Sequence, residues 1–163
     1  MGVDVGIKIR MLDESGNTKM EIEVSPQDNS LGSILDGSSE KIRYLSVSVN
    51  DEKFLTPDEL AKIRLNYDPE EELMMYSGII DSNEALRLFD KIFRFTYHRL
   101  PNSLDSDLSK INELSVDDED KSKRRKSQIS GYVGFEYSLG VAIGILKVAA
   151  TSYPKVQIIG EYY

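Results

Sequence analysis

The chain has no cysteine and one histidine in its 163 residues. Without cysteine there is no disulfide framework, no thiolate catalysis and no cysteine-ligated zinc or iron–sulfur centre. With one histidine, acid–base chemistry near neutral pH has only His98 to use in its commonest form. No loop alternates oxygen ligands as a calcium site does. Gly131, Gly134, Gly140 and Gly144 form neither a phosphate loop nor a dinucleotide-binding pattern. No metal and no cofactor is therefore expected, and no segment repeats. The opening MGVDVGIKIR lacks a basic stretch followed by an apolar core, so no secretory signal is expected and cytoplasmic residence is the simplest expectation. Between Glu136 and Lys147 the charge-free apolar piece is about ten residues, which predicts a buried central helix and no membrane span.

What is present describes one folded domain over residues 1–163. Apolar residues make up 40% of the chain, including nine Tyr and five Phe, enough to build a core. Charged residues make up 29%, and the net charge of -8 disfavours nucleic acid and favours a basic protein partner.

The pattern of apolar residues predicts the elements. Val3, Val5, Ile7, Ile9 and Met11 alternate with Asp4, Gly6, Lys8 and Arg10, and Met20, Ile22 and Val24 alternate with Lys19, Glu21 and Glu23. Period two with a turn sequence containing Gly16 and Asn17 predicts an antiparallel hairpin over Val3 to Val24. Residues 45–49 read as a third strand, with Ile42 and Tyr44 out of phase, and LGSILDGSS reads as a short helical piece between loops. Three N-terminal signals, TPDE, DPEEE and DSNE, predict helices over about 57–66, 69–76 and 83–100, the last ended by Pro101. A shorter helix follows with Leu104, Leu108, Ile111 and Leu114, then an exposed charged linker at about 116–128. A central helix over 132–152, stopped by Pro154, and a final strand KVQIIGEYY complete the chain. The expected fold class is α+β: an antiparallel sheet of about three to five strands with helices on one face.

Each candidate site has a structural explanation beside its functional one. Asp58, Glu59, Asp68, Glu70, Glu71, Glu72, Asp81 and Glu84 sit where helix N-termini favour negative charge, so capping accounts for them. Arg87, Lys91, Arg94 and His98 make a basic stripe on the 83–100 helix, read as a solvated face or as an anion or acidic-partner site. In VDDEDKSKRRKSQ, the acids Asp117, Glu119 and Asp120 each stand four residues before a base, so the segment neutralises itself as a helix would arrange it. Arg124, Arg125 and Lys126 are the part suited to docking. Ser138 resembles half a nucleophile elbow, but Glu136 replaces the required glycine. Gly140 and Gly144, beside Ala142, are expected to let another element pack close. Tyr162 and Tyr163 are read equally as interface anchors at a sheet edge or as a core rim.

Small size, acidity, lack of cysteine, α+β class and lack of a catalytic signature together resemble, in general character, the immunity proteins and inhibitors that neutralise toxins by binding. That resemblance implies a non-enzymatic protein-binding module acting through an acidic surface. Two other readings stand beside it: an enzyme using His98 with carboxylates, and a subunit of a homo-oligomer.

Overall fold

The computed structural model describes residues 5–25, 41–42, 47–48 and 55–162, with side chains at 6–24, 55–94 and 104–162. The architecture is α+β, as the patterning predicts: helices pack against an antiparallel six-stranded sheet.

Strands β1 (Val5–Leu12) and β2 (Thr18–Ser25) form the predicted hairpin. Asp13 closes its turn by accepting from the backbone N–H groups of Ser15 and Asn17 at 3.0 and 2.9 Å. Only Gly16, at φ +84°, takes the left-handed conformation there. The C-terminal strand β8 (Lys155–Tyr162) pairs with β1 along its whole length, from Val5 opposite Tyr162 to Leu12 opposite Lys155. β8 is therefore central. Ile7, Ile9 and Met11 share one face with Val156 and Ile158, and all five are buried. The opposite face carries Lys8 paired with Glu161 and Arg10 paired with Glu21.

The far side of β8 holds elements that local pattern misassigns. After α1 (Pro57–Ile63) come the short strands β5 (Asn66–Tyr67), β6 (Met74–Tyr76) and β7 (Ile80–Asp81). β6 and β7 both pair with β8, and β5 pairs with β6. The helix predicted over 69–76 does not form, because Met74–Tyr76 instead satisfies the open backbone edge of β8. Between β6 and β7, the buried Ser77 hydroxyl accepts from the N–H of Ile158 at 2.9 Å and continues that edge. β3 (Lys41–Ile42) and β4 (Val47–Ser48) form a separate two-stranded ladder, so the described part of the strand expected near 45–49, Val47–Ser48, does not join the main sheet. Tyr44, Leu45 and the predicted helical piece at 31–39 lie outside the described residues.

Two long antiparallel helices cover one face. α2 (Ser82–Asn112) runs through Pro101, where a stop was predicted, and absorbs the shorter helix expected after it. α3 (Asp118–Ser152) begins within the segment expected as a linker, with Asp117 as its N-cap. A mid-helix proline costs about 3 kcal/mol. Packing against α3 offsets it: Asp107, beyond the proline, accepts from Tyr132 at 2.8 Å and Gln128 at 3.0 Å. Lys121 donates to the Asn112 carbonyl at 2.9 Å and Arg125 to the Asn112 side chain at 2.8 Å, tying the end of α2 to the first turns of α3.

At about 1.5 Å per residue, α2 spans about 46 Å and α3 about 52 Å, against about 27 Å for β8. The helices therefore overhang the sheet. Ala85, Leu88, Phe89 and Ile92 of α2 are buried, as are Tyr132, Phe135, Leu139, Ala142, Leu146 and Ala149 of α3. No residue of 118–131 is buried. Among the described residues, no other element packs at Gly140 or Gly144: both are exposed, and a Cβ built at either meets nothing within 4 Å.

Candidate functional site

The basic stripe of α2 is met by acids. Thr56 and Glu59 form the predicted capping box, each side chain accepting from the other's backbone N–H at 3.1 Å. The capping geometry turns the Glu59 carboxylate toward α2, where it meets Lys91 at 2.7 Å and Arg87 at 3.1 Å. Arg87 also meets Glu84 at 2.6 Å, Lys62 meets Glu84 at 3.2 Å, and Arg94 meets Asp90 at 2.8 Å. The ammonium of Lys91, with the Thr56 N–H and Arg87, holds Glu59 down at about 2. Arg87, with Lys62, does the same for Glu84, also to about 2. Arg87, Lys91 and Arg94 thus face carboxylates, which leaves little net positive charge for an anion. His98 lies on α2, and its side chain is outside the described residues.

Arg124 and Arg125 are likewise engaged, with Asp120 at 2.9 Å and with Asn112. Glu119 meets Lys123 at 3.7 Å, as the four-residue spacing predicts. Lys121 departs from that pattern by reaching Asn112, since Asp117 is occupied as the cap. Lys126 is exposed. Beside these turns lies a groove of about 450 Å³ lined by Val116, Asp117, Glu119, Asp120 and Lys123. Three carboxylates on its wall repel an anion.

A different surface emerges at the other end of the sheet. Capping accounts for Glu59 and for Asp81, which accepts from the N–H groups of Asn83 and Glu84. It does not account for Asp68, Glu70, Glu71 and Glu72, because no helix follows them. These four carboxylates lie on the loop joining β5 to β6, closed by Asp68 accepting from the Glu70 N–H at 2.9 Å. Between Arg64 and Arg87 the chain carries six acids and no base. Glu71 accepts from the Tyr76 hydroxyl, which pushes that phenol up to about 12. No ion pair involves Glu70 or Glu72 among the described residues. Leu73 ends the loop at φ 70°, a left-handed conformation that costs a branched side chain about 1–2 kcal/mol. It is held there by its carbonyl, which accepts from the Tyr162 N–H at 2.8 Å. The side chain is 58% exposed, and Tyr67 and Ile79 nearby in the sequence are also more than half exposed.

No protein-family model, curated protein or solved structure matches this chain.

Tyr162 is on the central strand and packs against the core, so it belongs to a core rim and not to a sheet edge. Tyr163 lies outside the described residues. Ser138 is buried in α3 with no hydrogen-bond partner among the described residues, far from the exposed turn a nucleophile elbow needs. No group of three or more metal-ligating side chains occurs among the described residues. α3 is long and apolar enough to cross a membrane by length and composition, with nearly half of its apolar window buried.

Sequence reasoning missed the acidic loop because it assigned those carboxylates to a cap. The available signal was the 22-residue stretch between Arg64 and Arg87 without a single base.

Proposed function

We propose that this chain is a non-catalytic protein-binding module that engages a basic partner through the Asp68–Leu73 loop and the edge strand beside it. Leu73 carries the reading. An exposed apolar side chain held at a strained backbone position, directly after Glu70, Glu71 and Glu72, is not among the residues that build or line the core. It suits a partner that offers an apolar socket ringed by lysine or arginine. Glu70 and Glu72, which form no ion pair among the described residues, would steer such a partner, and Leu73 and Tyr67 would anchor it. This is the mode of a binding inhibitor or immunity-type protein, and cytoplasmic residence belongs to the same reading.

The test is affinity capture from a native lysate with wild type beside a Glu70→Lys/Glu72→Lys variant, followed by mass spectrometry. The expected result is a stoichiometric basic protein retained by wild type, released by added salt and lost in the variant. A partner retained equally by both proteins would move the binding surface elsewhere. Retention of nothing by wild type would sink the proposal.

A further inference from the structure

Along the outer face of α3, Ile129, Val133, Tyr137, Gly140, Gly144 and Val148 follow one another at steps of three or four residues. They therefore form one stripe. Val133, Tyr137 and Val148 are each more than half exposed, Tyr137 at 66%, and Ile129 is exposed as well. A soluble helix ordinarily turns such residues inward. Here α3 already buries its opposite face against α2 and the sheet, so the stripe is a second apolar face.

Two charges flank the stripe: Glu136 and Lys147, the only ones between Tyr132 and Ser152. Both are exposed, and neither forms an ion pair among the described residues. They stand eleven residues apart, close to three helical turns or about 16 Å, so they lie on the same flank of the stripe. Their midpoint falls between Val141 and Ala142, inside the Gly140–Gly144 segment.

We infer that this face binds a second copy of the same chain, α3 against α3, antiparallel about a two-fold axis passing near residues 141–142. An axis of that kind reverses the helix direction and preserves the flank, so Glu136 of each copy meets Lys147 of the other, twice per dimer. A parallel pairing would place the flanks apart and match neither charge. The two glycines sit at the crossing, where the missing side chains let the backbones approach, and Tyr137 lies over the other copy's Gly144. The surface is separate from the acidic loop and does not depend on its role. One helix face per copy makes a small interface, so the equilibrium is expected in the micromolar range.

Sedimentation velocity of the full chain from low-micromolar to sub-millimolar concentration tests the pairing. Wild type is expected to show a reversible monomer–dimer equilibrium. Glu136→Lys alone places like charges together at both contacts and is expected to weaken the dimer by roughly tenfold or more. Adding Lys147→Glu to it restores opposite charges and is expected to recover the wild-type constant. Gly140→Leu is expected to abolish dimerisation while leaving the monomer's thermal stability equal or higher, since the site is open and glycine is a poor helix former. A wild type that stays monomeric throughout, a single charge reversal without effect, or a double swap that fails to recover the dimer would each overturn the inference. So would monomeric wild type that co-sediments with phosphatidylcholine vesicles, which would assign the stripe to a bilayer.

Discussion

The α1–α2 ion-pair cluster and the β5–β6 loop are both rich in carboxylates, and they differ in what surrounds them. Glu59 and Glu84 face Lys62, Arg87 and Lys91 across two helices, and every one of these charges has a partner. Glu70 and Glu72 project from a loop with no base within reach among the described residues. Acids of the first kind stabilise the fold, whereas acids of the second kind repel one another and contribute nothing to it. Charge left uncompensated at a strained, apolar-tipped loop is charge available to a partner.

That contrast can be broken most forcefully at Glu59. Glu59→Ala removes half a capping box and two ion pairs at once, and takes from Lys91 its carboxylate while Arg87 keeps only Glu84. A loss of about 2 kcal/mol is expected from the urea midpoint. If the loss were only a few tenths, the cluster would be no more structural than the loop.

Acid titration of the wild type probes the same cluster without mutation. Glu59 and Glu84 titrate near 2 in the folded chain, below the ordinary value of 4.5. Their contribution is therefore complete above about 4.5 and is lost as pH falls toward 2. Allowing for solvent screening, the pair should contribute a loss on the order of 2 kcal/mol over that window. The slope should flatten in Glu59→Gln/Glu84→Gln.

Leu73→Gly sharpens the comparison from the other side. Glycine accepts φ 70° without strain, so the variant should be more stable by about 1 kcal/mol, read from the denaturation midpoint. Partner retention should fall at the same time. A variant that is destabilised would show that Leu73 serves the fold. The smallest effect is expected for Glu70→Gln/Glu72→Gln, whose stability should match or exceed wild type by no more than about 0.5 kcal/mol.

The N-terminal hairpin, the caps at Thr56 and Asp81 and the burial of the 132–152 helix were legible because each rests on contacts within a few residues or on a simple period. DPEEE misled for the same reason. An Asp followed by Glu closes a side-chain turn as readily as it opens a helix, and the choice lay with the open edge of β8, which begins 87 residues after Asp68. Pro101 and the 116–128 segment show the same limit. Their local signals, a helix breaker and a solvated charge run, were outweighed by the contacts between the two helices, in which Asp107 and Asn112 of α2 meet Arg125, Gln128 and Tyr132 of α3.

By itself, then, the sequence determined the fold class, the N-terminal hairpin, the two true caps and the lack of cysteine chemistry, all of which depend on local period, local hydrogen bonding or composition. Only the tertiary structure decided which carboxylates are paired, where the sheet continues past β8, and which face of α3 is left uncovered. Those outcomes depend on residues distant in the chain meeting in space, and an ion pair or an exposed stripe exists only once that meeting has occurred.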